Sequence, residues 1–135
     1  MSHSVVVAAK YKSLDALETA VRRCGGELVR NQSQHAFYGG HEPCLHAIKV
    51  AGTKTSGGYS GIWEIGVILA SAEADAAYQL KYDSFGRPGA ALDAVFGHGL
   101  SKLAEEYAAE VALRELAAAG FMTQRIDGPL ATVGA

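Results

Sequence analysis

Three residues within six positions, His41, Cys44 and His46, have the chemistry of zinc ligands. Cys44 and His46 are spaced to share one side of a strand, with His41 on the loop leading in. A tetrahedral site wants a fourth donor, and no paired cysteine or histidine motif supplies it at standard spacing. Only His35, Cys24, His98 or a carboxylate could complete it through the fold. The plainer reading is a half-buried strand with a small apolar thiol and a hydrogen-bonded imidazole. As a nucleophile, Cys44 needs a base within hydrogen-bond reach, and His46 stands about 7 Å further along an extended strand. That leaves His3 or His98 to approach from elsewhere. The expectation is no bound metal, no cofactor and no catalytic thiol.

Gly97-His98-Gly99-Leu100-Ser101-Lys102 is the better anion candidate. It opens a long helix, whose first amides and partial positive charge attract phosphate or carboxylate. Gly97, Gly99, Ser101 and Lys102 would form the anion site, and Asp83 and His98 would serve as acid and base near Tyr107. In the plainer reading the glycines let the chain bend and Ser101 caps the helix. Gly52-Thr53-Lys54-Thr55 only imitates a phosphate-binding loop: Ala47 stands where the earlier glycine is required, and Lys54 does not follow a glycine.

The elements that must position these residues follow from pattern. A chain of 135 residues, 49% hydrophobic and 19% charged, suits one domain spanning residues 1–135 with a single core. Two cysteines, and no apolar leader before the first strand, point to a reducing cytoplasm. No apolar run approaches the ~20 residues of a membrane span. A net charge of -2 lacks the basic excess of nonspecific nucleic-acid binders. A patch of Arg22, Arg23 and Arg30 could contact an acidic partner, although solvated arginines on a helix face are the simpler reading.

Residues 4–9 read as a buried first strand. Ser13 then caps a helix with Leu14, Leu17, Val21 and Cys24 on one stripe, and Gly25-Gly26 ends it. Residues 27–30 and 35–38 form two strands around a polar turn, and 39–43 a loop. Strands at 44–50, 62–70 and 78–82 follow. Residues 52–61 carry four glycines and make a mobile surface loop. Residues 71–77 are a hairpin loop or one helical turn. Residues 85–89 break the chain before a helical turn at 92–96. The long helix turns Leu103, Ala104, Tyr107, Ala108, Val111 and Leu116 to the core, and lines Lys102, Glu106, Glu110 and Arg114 along its wet side. Residues 122–126 make a strand, 127–129 a turn and 130–133 a short final strand. The economical burial is an α+β two-layer sandwich: a mainly antiparallel sheet with two helices, the long one C-terminal, on one face.

The chain resembles the family catalogued as domain of unknown function 1257, which includes a small plastid and cyanobacterial reading frame and proteins of tailed phages. The resemblance rests on Met1-Ser2-His3, Cys44-Leu45-His46-Ala47-Ile48-Lys49-Val50, Glu64-Ile65-Gly66-Val67, Tyr82-Asp83, Lys102-Leu103, Tyr107-Ala108 and Gly120-Phe121. The 52–61 loop is longer than in that family, and the end from Gly128 lacks its polar, β-rich last strand. The resemblance implies a small α+β domain, often phage-encoded, with no established catalytic role and no functional residues to carry over. Together these readings lead to a noncatalytic accessory protein that docks on another protein of host or phage, with a homodimer as its simplest form. A small enzyme or binder of an anionic metabolite or nucleotide at residues 97–102 is the alternative.

Overall fold

The computed structural model describes residues 4–125 and 130–133, with residues 122–125 and 130–133 described by their backbone. The main sheet has five strands in the order β1-β7-β6-β5-β2, every neighbouring pair antiparallel. They are β1 (Ser4–Val6), β2 (Gly26–Val29), β5 (His46–Val50), β6 (Ile65–Leu69) and β7 (Tyr78–Asp83). Helix α1 (Leu14–Cys24) carries the chain from one edge strand, β1, to the other, β2. Ser13 Oγ accepts the Ala16 amide at 3.1 Å, and Gly25 closes the helix at φ 98°, which is why this helix was legible residue by residue.

Strand alternation sorts the sheet into two faces. Leu28, Ile48, Ile65 and Tyr82 stand side by side across β2, β5, β6 and β7, and Val67 and Leu80 form the next row on the same face. Against them pack Leu17 and Val21 of α1, and Leu92 and Phe96 of α2 (Gly86–Phe96). Leu100 and Leu103 complete this core. The α+β architecture, with its antiparallel sheet and helices on one face, is thus the expected one. α2 is a full helix rather than a turn at 92–96. Pro88 is tolerated in its first turn, and Gly89 lets that turn close onto Ser84, whose carbonyl carbon would lie 2.2 Å from a Cβ.

The second face is covered where a loop was expected at 39–43. Residues 40–43 are β4 (Gly40–Pro43), which pairs with β3 (Gln34–Phe37) as a hairpin. The hairpin can sit flat there because Gly66 has no side chain: His35 occupies the space above it. After β6, residues 71–77 form the hairpin loop closed by Ala70 N to Ala77 O at 2.8 Å. β8 (Met122–Arg125) and β9 (Leu130–Val133) pair antiparallel as a separate two-stranded ribbon. The turn expected at 127–129 lies outside the described residues, as does His3.

Helix α3 (Ser101–Ala118) is rotated from its expected setting. Leu103 and Glu110, seven residues apart on one line, are its buried residues, while Ala108 is exposed. Glu110 therefore does not lie on the wet side. It faces α1, from which Arg23 reaches it at 2.7 Å, while Arg114, one turn on along α3, reaches it at 2.6 Å. Arg114 also donates to Thr19 Oγ1 at 3.1 Å, so a polar ladder joins the two helices beside the apolar core that Leu103 shares with Leu17 and Val21. Tyr107 Oη accepts the Lys12 and Ser13 amides at 2.9 and 3.0 Å and fixes the helix against the start of α1. The arginine patch is likewise engaged: Arg23 by Glu110, and Arg30 by Asp15 at 2.6 Å and Glu18 at 3.2 Å.

Candidate functional site

The candidate ligands of β4 and β5 part company in the fold. His41 projects outward from β4 and is exposed. Cys44 donates to the Gln32 carbonyl at 3.2 Å, and burial, followed by the charge of Glu64, pushes its thiol up to about 11. His46 Nδ1 accepts the Asn31 amide at 2.9 Å, and its ring meets Tyr78 edge-on at 5.8 Å. Among the described residues, no group of three or more His, Cys, Asp or Glu side chains is placed to hold a metal ion.

Asp83 and His98 face different neighbours. Tyr82 looks toward the helices and Asp83, next to it on β7, toward the hairpin. Asp83 is fully buried; Oδ2 accepts the Tyr38 amide at 3.1 Å and Oδ1 the Phe85 amide at 2.9 Å. His98 is almost wholly exposed, with Nδ1 3.4 Å from Asp93 Oδ2. The other oxygen of Asp93 accepts the Tyr82 hydroxyl at 3.0 Å. Burial, and then this carboxylate, push the Tyr82 phenol up to about 12. Asp93 is the residue that sequence reasoning missed. Its signal was its place on a helix whose first half reads as a glycine-proline breaker.

Ser101 does not cap α3. It is already helical at φ -65°, and the cap position is Leu100, at φ 61° with no side-chain hydrogen bond. Gly97 packs onto this first turn, where a Cβ would lie 2.5 Å from the Lys102 amide and 2.7 Å from Ser101 Oγ. Gly99 sits beside them at φ 63°, and the Lys102 side chain is exposed. The chain's own backbone thus occupies the approach to the Lys102 amide.

Concave surfaces among the described residues include two large ones. One is a pocket of about 470 Å³ walled by Tyr59, Trp63, Phe85 and Pro88, with Arg87 at its rim. The other is a shallower groove of about 670 Å³ beside α3, walled by Ala104, Ala108, Val111 and Ala112 and reaching Lys12 and Glu115. On the hairpin face lies a further polar group, built around the fully buried His35. His35 Nε2 is 2.9 Å from Glu42 Oε1 without hydrogen-bond alignment, and Lys81 Nζ is 3.2 Å from Glu42 Oε2. Ser4 Oγ donates to Glu42 at 3.2 Å. Burial pulls the His35 imidazole below its ordinary range, against the pull of Glu42.

Comparisons with protein-family models, curated proteins and solved structures found no match to this chain. Among the described residues, no helix is long and apolar enough to cross a membrane.

Proposed function

We propose that this chain is a noncatalytic accessory protein that works by docking on another protein, and that the groove beside α3 is the docking surface. One observation carries the reading. Ala104, Ala108 and Val111 of α3, expected to fill the core, instead line an open groove together with Ala112, because Leu103 and Glu110 take the inward positions. Small side chains let a second helix approach closely, and Lys10 and Lys12 on one rim with Glu115 on the α3 side give it both signs of charge to read. A second copy of this chain, offering the same stripe and the same charges, is the simplest occupant.

Light scattering over a wide concentration range tests this. A dimer that dissociates in Ala108→Arg, with the unfolding temperature of the isolated protomer unchanged, is the expected result. A wild-type chain that stays monomeric at every concentration removes the self-docking form. Ala108→Arg dimerising as well as wild type moves the interface elsewhere.

A further inference from the structure

The pocket of Tyr59, Trp63, Phe85 and Arg87 is a second feature that the docking role does not use. Its walls are held before any ligand arrives. Trp63 Nε1 donates to the Gly58 carbonyl at 2.8 Å, and Gly58 N donates to Phe37 O at 3.0 Å. Gly57 packs so closely on the hairpin that a Cβ would meet Gly40 O, so residues 52–61 are tied down rather than the loose loop their composition predicted. Asp83 fixes the opposite wall through the amides of Tyr38 and Phe85, whose rings meet edge-on at 5.5 Å. Tyr59 is 70% exposed, yet its ring is set edge-on to Tyr38 at 5.6 Å and near Phe85 at 6.2 Å. A large aromatic held in this way leaves much of its ring open to a partner.

The electrostatics select among ligands. Among the described residues, Arg87 is the one charged residue lining the pocket, and the carboxylate of Asp83 is turned toward the hairpin and engaged. α2 begins at the same place, with no acidic residue in its first turn; the Asp83 carboxylate beside its N-cap is already engaged by the Phe85 and Tyr38 amides, so Arg87 is the group left to meet an anion. A cavity of about 470 Å³ is within the range of small-ligand sites, which are mostly apolar with a few placed polar groups. The open ring of Tyr59 offers a planar ligand an aromatic surface, and one guanidinium takes one anionic group, bidentately where the group is a carboxylate or phosphate.

We propose that this pocket binds a small planar aromatic molecule carrying a single anionic group, with the ring among Tyr59, Trp63 and Phe85 and the anion on Arg87. The chemistry is shared by nucleoside monophosphates and aromatic carboxylates. Trp63 is the sole tryptophan of the chain and, though 1% exposed, borders the pocket, so its fluorescence responds to a ligand seated beside Tyr59 and Phe85. The wild-type protein is titrated with adenosine monophosphate in one arm and 4-hydroxyphenylacetate in the other. Adenosine and 4-methylphenol are the uncharged counterparts. Saturable quenching in at least one arm is expected, weakened roughly tenfold or more for the uncharged counterpart and in Arg87→Ala, the scale of one lost charge-assisted contact. Tyr59→Ala should weaken both arms. The arm that responds identifies phosphate or carboxylate as the source. Both substitutions fall at exposed positions, so a circular-dichroism check against wild type suffices for folding. Absence of saturable quenching in both arms overturns the proposal, as does binding indifferent to Arg87 and to removal of the anionic group.

Discussion

Gly66 and His35 meet face to face on the side of the sheet away from the helices: a Cβ at position 66 would come within 2.4 Å of the imidazole Cδ2. The absence of one methyl group on β6 is what seats the β3-β4 hairpin, and with it the Glu42, Lys81 and Ser4 contacts. Gly66→Ala should destabilise the fold by roughly 1–3 kcal/mol, the cost of overpacking a well-packed interior. His35→Ala removes the obstructing ring, so the second substitution should cost less in that background. A double-mutant cycle in urea reads the coupling, and strictly additive effects would contradict the packing.

The same histidine gives stability a pH dependence of defined sign. Burial holds the folded-state affinity of His35 for a proton below its ordinary 6.5. The unfolded chain therefore takes up that proton first as pH falls, so stability is full above 6.5 and declines below it. His46, lowered by burial and by Arg30, adds to the same trend. Urea unfolding between about pH 8 and about pH 5.5 should show the decline, reduced in His35→Gln. A flat profile in wild type, or an unaltered slope in His35→Gln, would count against it.

Glu110 is buried between Arg23 and Arg114 on the seam of α1 and α3. Its removal strands two arginines whose side chains are 38% and 45% exposed. Water therefore screens part of the loss, and Glu110→Ala should cost roughly 1–2 kcal/mol rather than the larger penalty of a fully buried pair. Thermal unfolding should show a lower midpoint for the variant, with the gap narrowing as salt is raised. A substitution without effect would place Glu110 in solvent.

Cys44 should be a slow thiol. With its thiol near 11 instead of the ordinary 9.0, it carries roughly a hundredfold less thiolate at mildly alkaline pH. In a Cys24→Ala background, a disulfide-exchange reagent should label the native protein far more slowly than the urea-unfolded one. Equal rates would mean that the Gln32 contact and the burial of Cys44 do not exist in solution.

Much of the frame was legible because it is local. Ser13 and Gly25 mark α1 by short-range capping chemistry, and the apolar segments around Leu28, Ile48 and Val67 mark strands whose partners are antiparallel neighbours. The misread places are those where a distant residue decides. Residues 40–43 look like a loop until β3 supplies their hydrogen-bond partners. Glycines at 57 and 61 look like slack until Gly40 and Ser56 fill the space beside them. The start of α2 looks like a breaker until Gly89 is needed against Ser84.

The sequence by itself determined the α+β class, the first helix with its caps, and the succession of antiparallel strands, since capping and two-residue periodicity act over a few residues. Only the tertiary structure decided which face of α3 turns inward, that Asp83 serves Tyr38 and Phe85 rather than His98, and that Tyr59, Trp63, Phe85 and Arg87 share one pocket. The physical reason is common to all three. Side-chain partnership depends on how rigid elements cross, and the crossing is set by the sum of contacts made far apart in the chain.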